Sequence, residues 1–139
     1  QKYRLFCSAV TQLCIDDQHR VFTTDIRLIR RIVRDRHFRG YSAADTLRLW
    51  PRVRAGEKKW IFPWQDRADM FFNSTLVYEP AVLKMFAERF LIEVPDTDPV
   101  WVEAERLLKF LRFFIPVFTD DVPGTSIIRE FVGESSFRY

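Results

Sequence analysis

The sequence predicts an α/β fold in which helices hold the larger share. Three observations lead there. Tyr3 to Val10 is a short apolar run with little alternation (Leu5, Phe6, Cys7, Ala9, Val10), the pattern of a strand buried on both faces. Four later stretches carry apolar residues at helical spacing. Fourteen Phe, 4 Trp and 4 Tyr against 4 Gly, at 47% hydrophobic, supply a core for 139 residues without staples. With 29% charged residues as well, disorder and low complexity are excluded.

The elements follow in order. Asp16, Asp17 and Gln18 mark a turn after the first strand. Thr23, Thr24 and Asp25 offer N-cap oxygens just before a periodic stretch, so a helix is expected over Ile26–Phe38, stopped by Gly40 as a C′ residue. Ser42 with Asp45 imitates a capping box and opens a second helix through Trp50. Pro51 is expected to end or kink it, with a further helical stretch to Lys59. Pro63 marks a change of direction, and Ala68–Phe72 reads as a second short strand closed by Asn73-Ser74-Thr75. Tyr78–Ile92 is helical through Val82, Leu83, Phe86, Phe90 and Leu91. Asp98 and Pro99 form an N-cap and N1 pair for a helix over Trp101–Phe114, with Leu107, Leu108, Phe110 and Leu111 inward and Pro116 as its stop. Thr119–Gly124 is a loop, and Ser126–Phe131 forms one last short helix or strand. No repeat and no long linker appears. One unit over 1–139 is expected, with a core part over 1–75 and a helical extension over 76–139.

Several function classes drop out. No apolar run approaches the roughly 18 residues of a membrane span, since Arg112 and Pro116 break the longest one near Phe113. Lys2 and Arg4 are not followed by a long apolar region, so no signal peptide is expected. Cys7 and Cys14 lack CxxC spacing and His-rich company, which argues against zinc and for plain thiols in the cytoplasm, with Cys7 a small buried side chain. A net charge of +3 is too small for wholesale nucleic-acid binding. Asp16-Asp17 with His19 reads as a turn before it reads as a metal site. Glu103 and Glu105 do not share a helix face. Ser135-Ser136 has no His partner and no elbow motif. Trp60, Phe62 and Trp64 suit base stacking, core packing or a subunit interface equally well.

The charge distribution says more than the total. Six arginines and no lysine lie between Arg27 and Arg39, opposed only by Asp35. On a wheel of about 100° per residue, Arg30, Arg31 and Arg34 fall within about 60° of Arg27, while Leu28, Ile29, Ile32 and Val33 take the opposite arc. Arg36 lies about 180° from Arg27. Like charges at i, i+3, i+4 and i+7 repel by a few tenths of a kcal/mol per pair, so folding does not reward the arrangement. The plain alternative is a solvated helix face with an ion pair or two to Asp25 or Asp35. The functional reading is a polyphosphate clamp, because guanidinium forks hold phosphate oxygens and stabilise charge on a transferred phosphoryl group. RNA binding fits less well, since only His37 and Phe38 supply aromatic rings nearby.

The run from Thr24 to Asp35, followed by Arg39-Gly40, resembles the lid helix of the uridine kinase and phosphoribulokinase family. Trp50-Pro51, Val53-Arg54, Gly56-Glu57-Lys58, Ile61-Phe62-Pro63 and Ala68-Asp69 follow in the family's order. Leu107–Leu111 and Ser126–Gly133 resemble a bacterial uridine kinase-like branch, so that the resemblance covers nearly the whole chain. It implies the helix-rich C-terminal part of a P-loop kinase-type parallel sheet fold, with a C-terminal helical extension. It implies further that Arg31, Arg34 and Arg39 are the catalytic lid arginines and that Arg27 and Arg30 bind ATP phosphates alongside them. Phosphoryl transfer from ATP to a sugar hydroxyl of a nucleoside or similar small molecule is the implied activity of the full-length protein, with ATP and Mg²⁺ as its cofactors. Tyr41 replaces the family's second arginine after Arg-Gly, and Leu49 a glutamine that helps hold the nucleoside. No G-x-x-x-x-G-K-[ST] motif occurs in the chain. The implied partner is therefore an N-terminal P-loop half of the same protein. This chain alone is expected to bind no cofactor and to be inactive. A free strand edge would invite pairing with a second copy. The rival reading from another class is a non-catalytic module that holds an anionic ligand or RNA.

Overall fold

The computed structural model describes residues 2–138. Two strands, β1 (Leu5–Ser8) and β2 (Met70–Asn73), pair in parallel, with Leu5 opposite Met70 and Ser8 opposite Asn73. Side chains close both ends of this ladder. Asp69 Oδ2 accepts from the Arg4 amide at 2.7 Å, and the Asn73 side chain exchanges two hydrogen bonds with the Val10 backbone. The expected parallel α/β arrangement is therefore present, but β1 is half its anticipated length and β2 one residue shorter than anticipated, running on to Asn73.

Their environment is also different. Leu5, Met70, Phe71 and Phe72 are exposed, and Cys7 is exposed where a buried side chain was expected. The reason is geometric. Each strand has one neighbour, and the helices pack on one another rather than on both sheet faces. Phe6 and Phe71 cover each other by stacking, with ring centroids 5.7 Å apart.

Helix α1 (Thr23–Phe38) starts three residues before the expected point. No side chain caps it, because the N-cap residue is Phe22, which carries no acceptor, and the Thr23 hydroxyl accepts from the Thr11 amide at 3.2 Å. Gly40 adopts φ +70°, the left-handed turn that glycine takes without cost and that redirects the chain towards α2. Helix α2 (Ala43–Trp60) opens on the expected capping box: the Asp45 amide donates to Ser42 Oγ and the Ser42 amide to Asp45 Oδ2, both at 3.1 Å. It runs unbroken through Pro51, which removes one N–H but does not end the helix. A 3₁₀ stretch over Phe62–Arg67 follows and absorbs Pro63.

Helices α3 (Glu79–Ile92) and α4 (Trp101–Leu111) pack together, and of the expected short element over Ser126–Phe131 the first three residues form a turn that leads into the short helix α5 (Arg129–Val132). Asp98 and Pro99 precede α4 by a turn instead of capping it, since Asp98 accepts from the Val100 and Trp101 amides. Helix α4 stops at Leu111, before Phe114, whose carbonyl takes a hydrogen bond from Lys84. The core joins Leu28, Ile29, Ile32 and Val33 of α1 to Leu83, Leu91, Leu107, Leu111 and Ile128, while Phe86 and Leu108 are only partly buried. Among the described residues, no helix is long and apolar enough to cross a membrane.

The capping box yields a direct test. Ser42→Ala should cost about 1 kcal/mol at neutral pH, read as a lower melting temperature. Hydrogen bonds from the Ser42 hydroxyl and backbone hold the Asp45 carboxyl below its ordinary value of 3.8. That contribution is complete above the ordinary value and disappears as pH falls through the lowered one. The difference between wild type and variant should shrink in acid; a difference unchanged at pH 2 contradicts this account.

Candidate functional site

A cavity of about 270 Å³ lies at the carboxyl ends of both strands, bordered by Ser8 at the end of β1, Ala9 just after it and Ser74 just after β2. Ligands of open α/β sheets collect at this end. Arg27, Arg30, Arg31 and Arg34 of α1 form one wall, and Trp50, Val53 and Glu57 of α2 form another. The four arginines share the cavity because their spacing returns to one helix face, while Leu28, Ile29, Ile32 and Val33 anchor the opposite face in the core.

Their surroundings are not equivalent. Arg30 is buried. Its Nε and Nη2 donate to the two Glu79 oxygens and Nη2 also to the Ser74 carbonyl at 2.8 Å, with the guanidinium carbon 5.2 Å from the Phe131 ring centroid. It ties α1 to the end of β2 and the start of α3. Arg27 is partly buried, donates to Glu57 and lies over Phe62, while Arg54 reaches the other Glu57 oxygen at 3.1 Å. Arg31 Nε lies 3.1 Å from Asp35 Oδ2, Arg34 Nε 3.7 Å from Oδ1, and Arg39 Nη1 donates to Oδ1 at 3.2 Å. The Nε groups of Arg31 and Arg34 are buried, yet neither is aligned for a hydrogen bond.

Six guanidiniums therefore face three carboxylates, Asp35, Glu57 and Glu79. The excess is felt by the groups themselves. Burial, then the neighbouring Arg54 and Arg30 charges, lowers the pKa of Arg27 against the pull of Glu57. Burial, then Arg39 and Arg31, lowers that of Arg34. Both remain cationic at neutral pH, but the cluster is short of negative charge. An anion entering the cavity would relieve that shortage.

The remaining candidates are placed plainly. Asp25, one of the anticipated partners of the arginine face, instead takes a bidentate bond from Arg106 of α4, at 2.8 Å to each oxygen. Arg36 points away from the cavity, 2.9 Å from Glu93 and over Phe90. Asp16 accepts from the Gln18 and His19 amides, which makes the expected turn. Glu103 pairs with Arg106 and Glu105 with Lys109. Trp60 and Trp64 are exposed outside the core. Among the described residues no three His, Cys, Asp or Glu gather, and Asp35 and Glu57 are turned to arginines.

Sequence reasoning missed Glu79 as a partner of the arginine row. A partial signal existed. On the wheel Arg30 sits only about 40° from Ile26 and about 60° from Val33, at the border of the apolar arc, while Arg34 sits near the middle of the charged face.

Taken together, these features define an α/β protein with a cavity lined by clustered arginines at its strand ends. Residues 19–79 match the sequence model of the Phosphoribulokinase / Uridine kinase family, a family of kinases. The match covers rather less than half of the chain, from the turn before α1 to Glu79, and supports the resemblance drawn from the arginine helix. No curated protein and no solved structure matches the chain.

The Arg30–Glu79 pair can be tested by itself. Glu79→Ala leaves a buried guanidinium without its counter-charge and should cost about 3–5 kcal/mol in urea or thermal unfolding. Glu79→Gln, which keeps shape and one acceptor, should cost less. A loss below about 1 kcal/mol for the alanine variant would mean that Arg30 finds water or another partner.

Proposed function

We propose that this chain is the lid and helical part of an ATP-dependent kinase that transfers a phosphoryl group to a sugar hydroxyl of a nucleoside or similar acceptor, acting within the full-length protein. The observation that carries the reading is the row of Arg27, Arg30, Arg31 and Arg34 along one wall of a cavity at the strand ends where cations outnumber carboxylates. A polyphosphate supplies several oxygens in the geometry that a guanidinium fork accepts two at a time.

In this proposal Arg31 and Arg34 contact the phosphates directly. Arg39, tied to the same Asp35 and nearly half exposed, comes to them from the far side of the carboxylate. Arg27 adds charge from the α2 side. Arg30 is the anchor that keeps α1 in place, acting on the phosphates through its field rather than by contact. Charge spreads over the transferred group in the transition state, and fixed guanidiniums stabilise it without having to reorganise. The ATP phosphates fit this donor set. Mg²⁺ would enter with the nucleotide, held chiefly by its phosphates and water. The rival reading, a binding module for an anionic ligand or RNA, shares the cavity but predicts no turnover.

The test is Arg31→Lys in the full-length protein, with Arg36→Lys as control. Lysine keeps the charge and loses the fork, so turnover should fall roughly tenfold or more at Arg31 with the melting temperature little changed. The Arg36 variant should keep its turnover, because that side chain meets Glu93 and Phe90 away from the cavity. Equal and negligible losses at both positions would retire the clamp.

A further inference from the structure

A second cavity, of about 470 Å³, lies on the other side of Arg34. Its size is that of a small-molecule site. Arg34 lines both cavities, so a ligand held by this guanidinium can extend into either. The second cavity is walled by Phe38 and Arg39 at the end of α1 and by Phe137 on the C-terminal tail, both rings being more than half exposed.

The tail that carries Phe137 is fixed in place. Gly133 at φ +93° and Glu134 at φ +58° reverse the chain after α5. The Ser136 amide then donates to the Gly124 carbonyl at 2.8 Å, and Glu134 meets Arg129 at 3.0 Å. Arg129 is buried and also donates to the Thr119 and Val122 carbonyls. Gly124 lets Ser136 pack closely, because a Cβ there would lie 2.3 Å from Ser136 Oγ and oblige that hydroxyl to rotate away. Two exposed rings on rigid supports, flanking a cavity, are a stacking site for a planar group.

The charges say which planar group. Glu130 and Glu134 line the same cavity; Glu134 pairs with Arg129, and Glu130 lies near enough to Arg34 to favour its charged form, with no ion pair within 4 Å among the described residues. Carboxylates at this end would repel a second phosphate but accept hydrogen bonds from the N–H groups of a heterocycle. Arg34 and Arg39 supply the cations of the same lining, so donors and acceptors stand side by side in this cavity. The ligand that matches is anionic at one end and a planar N–H-bearing ring at the other.

We infer that the cavity between Phe38 and Phe137 seats the base of a nucleotide whose phosphates lie on Arg31 and Arg34. This rests on the phosphate reading proposed above, and it assigns a role to the C-terminal residues, which lie outside the family-matched segment.

The experiment compares ATP with inorganic tripolyphosphate, which has the phosphates and no base, as ligands of the full-length protein by calorimetry. ATP should bind wild type more tightly than tripolyphosphate. Phe137→Ala should weaken ATP by about tenfold or more and leave tripolyphosphate unchanged, and Phe137→Trp should restore ATP binding. Phe38→Ala should behave as Phe137→Ala does, and circular dichroism would verify that each variant keeps the wild-type fold. If wild type binds both ligands equally, or Phe137→Ala and Phe38→Ala weaken neither or both alike, the base seat is wrong while the phosphate reading stands. If wild type binds neither ligand, the phosphate reading fails and the base seat falls with it.

Discussion

The structure depends on how a row of arginines on one helix is neutralised. Left alone, Arg27, Arg30, Arg31 and Arg34 would destabilise α1 by mutual repulsion. Three buried carboxylates prevent this, and each comes from a different helix: Asp35 from α1, Glu57 from α2 and Glu79 from α3. The ion pairs thus do more than balance charge. The Glu57 and Glu79 pairs fix α2 and α3 against α1, so the same bonds that quiet the arginines assemble the walls of the cavity. Burying such pairs costs desolvation, and a well-packed apolar contact could hold the helices equally well. What an apolar contact could not do is leave a dense guanidinium surface facing the strand ends.

The neutralisation is deliberately unequal along the helix. Arg30 receives a whole carboxylate and a backbone carbonyl, and becomes part of the interior. Arg31, Arg34 and Arg39 share one carboxylate among three. Asp35 can keep them close together but cannot satisfy them, which is why two Nε groups remain without hydrogen bonds. The gradient runs from the fully paired Arg30 to the more loosely paired Arg31 and Arg34 within about one turn of helix.

Much of this was legible in the sequence, because local signals and periodicity are local physics. The Ser42–Asp45 box, the Gly40 stop and the α1 core stripe all appear where the residues put them. So does the parallel pairing, although β1 and β2 are shorter and more open than an unalternating apolar run implies. Burial of a strand depends on what covers it, and an apolar run such as Leu5–Cys7 cannot report that. Pro51 misleads for a related reason: proline removes one hydrogen bond, and packing on either side of it can keep α2 continuous. The largest gap is Glu79. It is 49 residues from Arg30, and a wheel gives the direction of a side chain without naming what stands opposite.

The family-matched segment ends at Glu79, the residue that pins Arg30. Its own residues do not complete its core. Ile29, Ile32 and Val33 are closed off by Leu83, Leu91, Ile128 and their neighbours, which come from beyond residue 79. The helices after the match therefore supply the apolar surface that lets α1 present its arginines at all. They also supply Phe131 over Arg30 and the tail beside Arg34. Because the arginines are held from both sides, the part of the chain outside the family match is as necessary to the cavity as the helix that gives the family its mark.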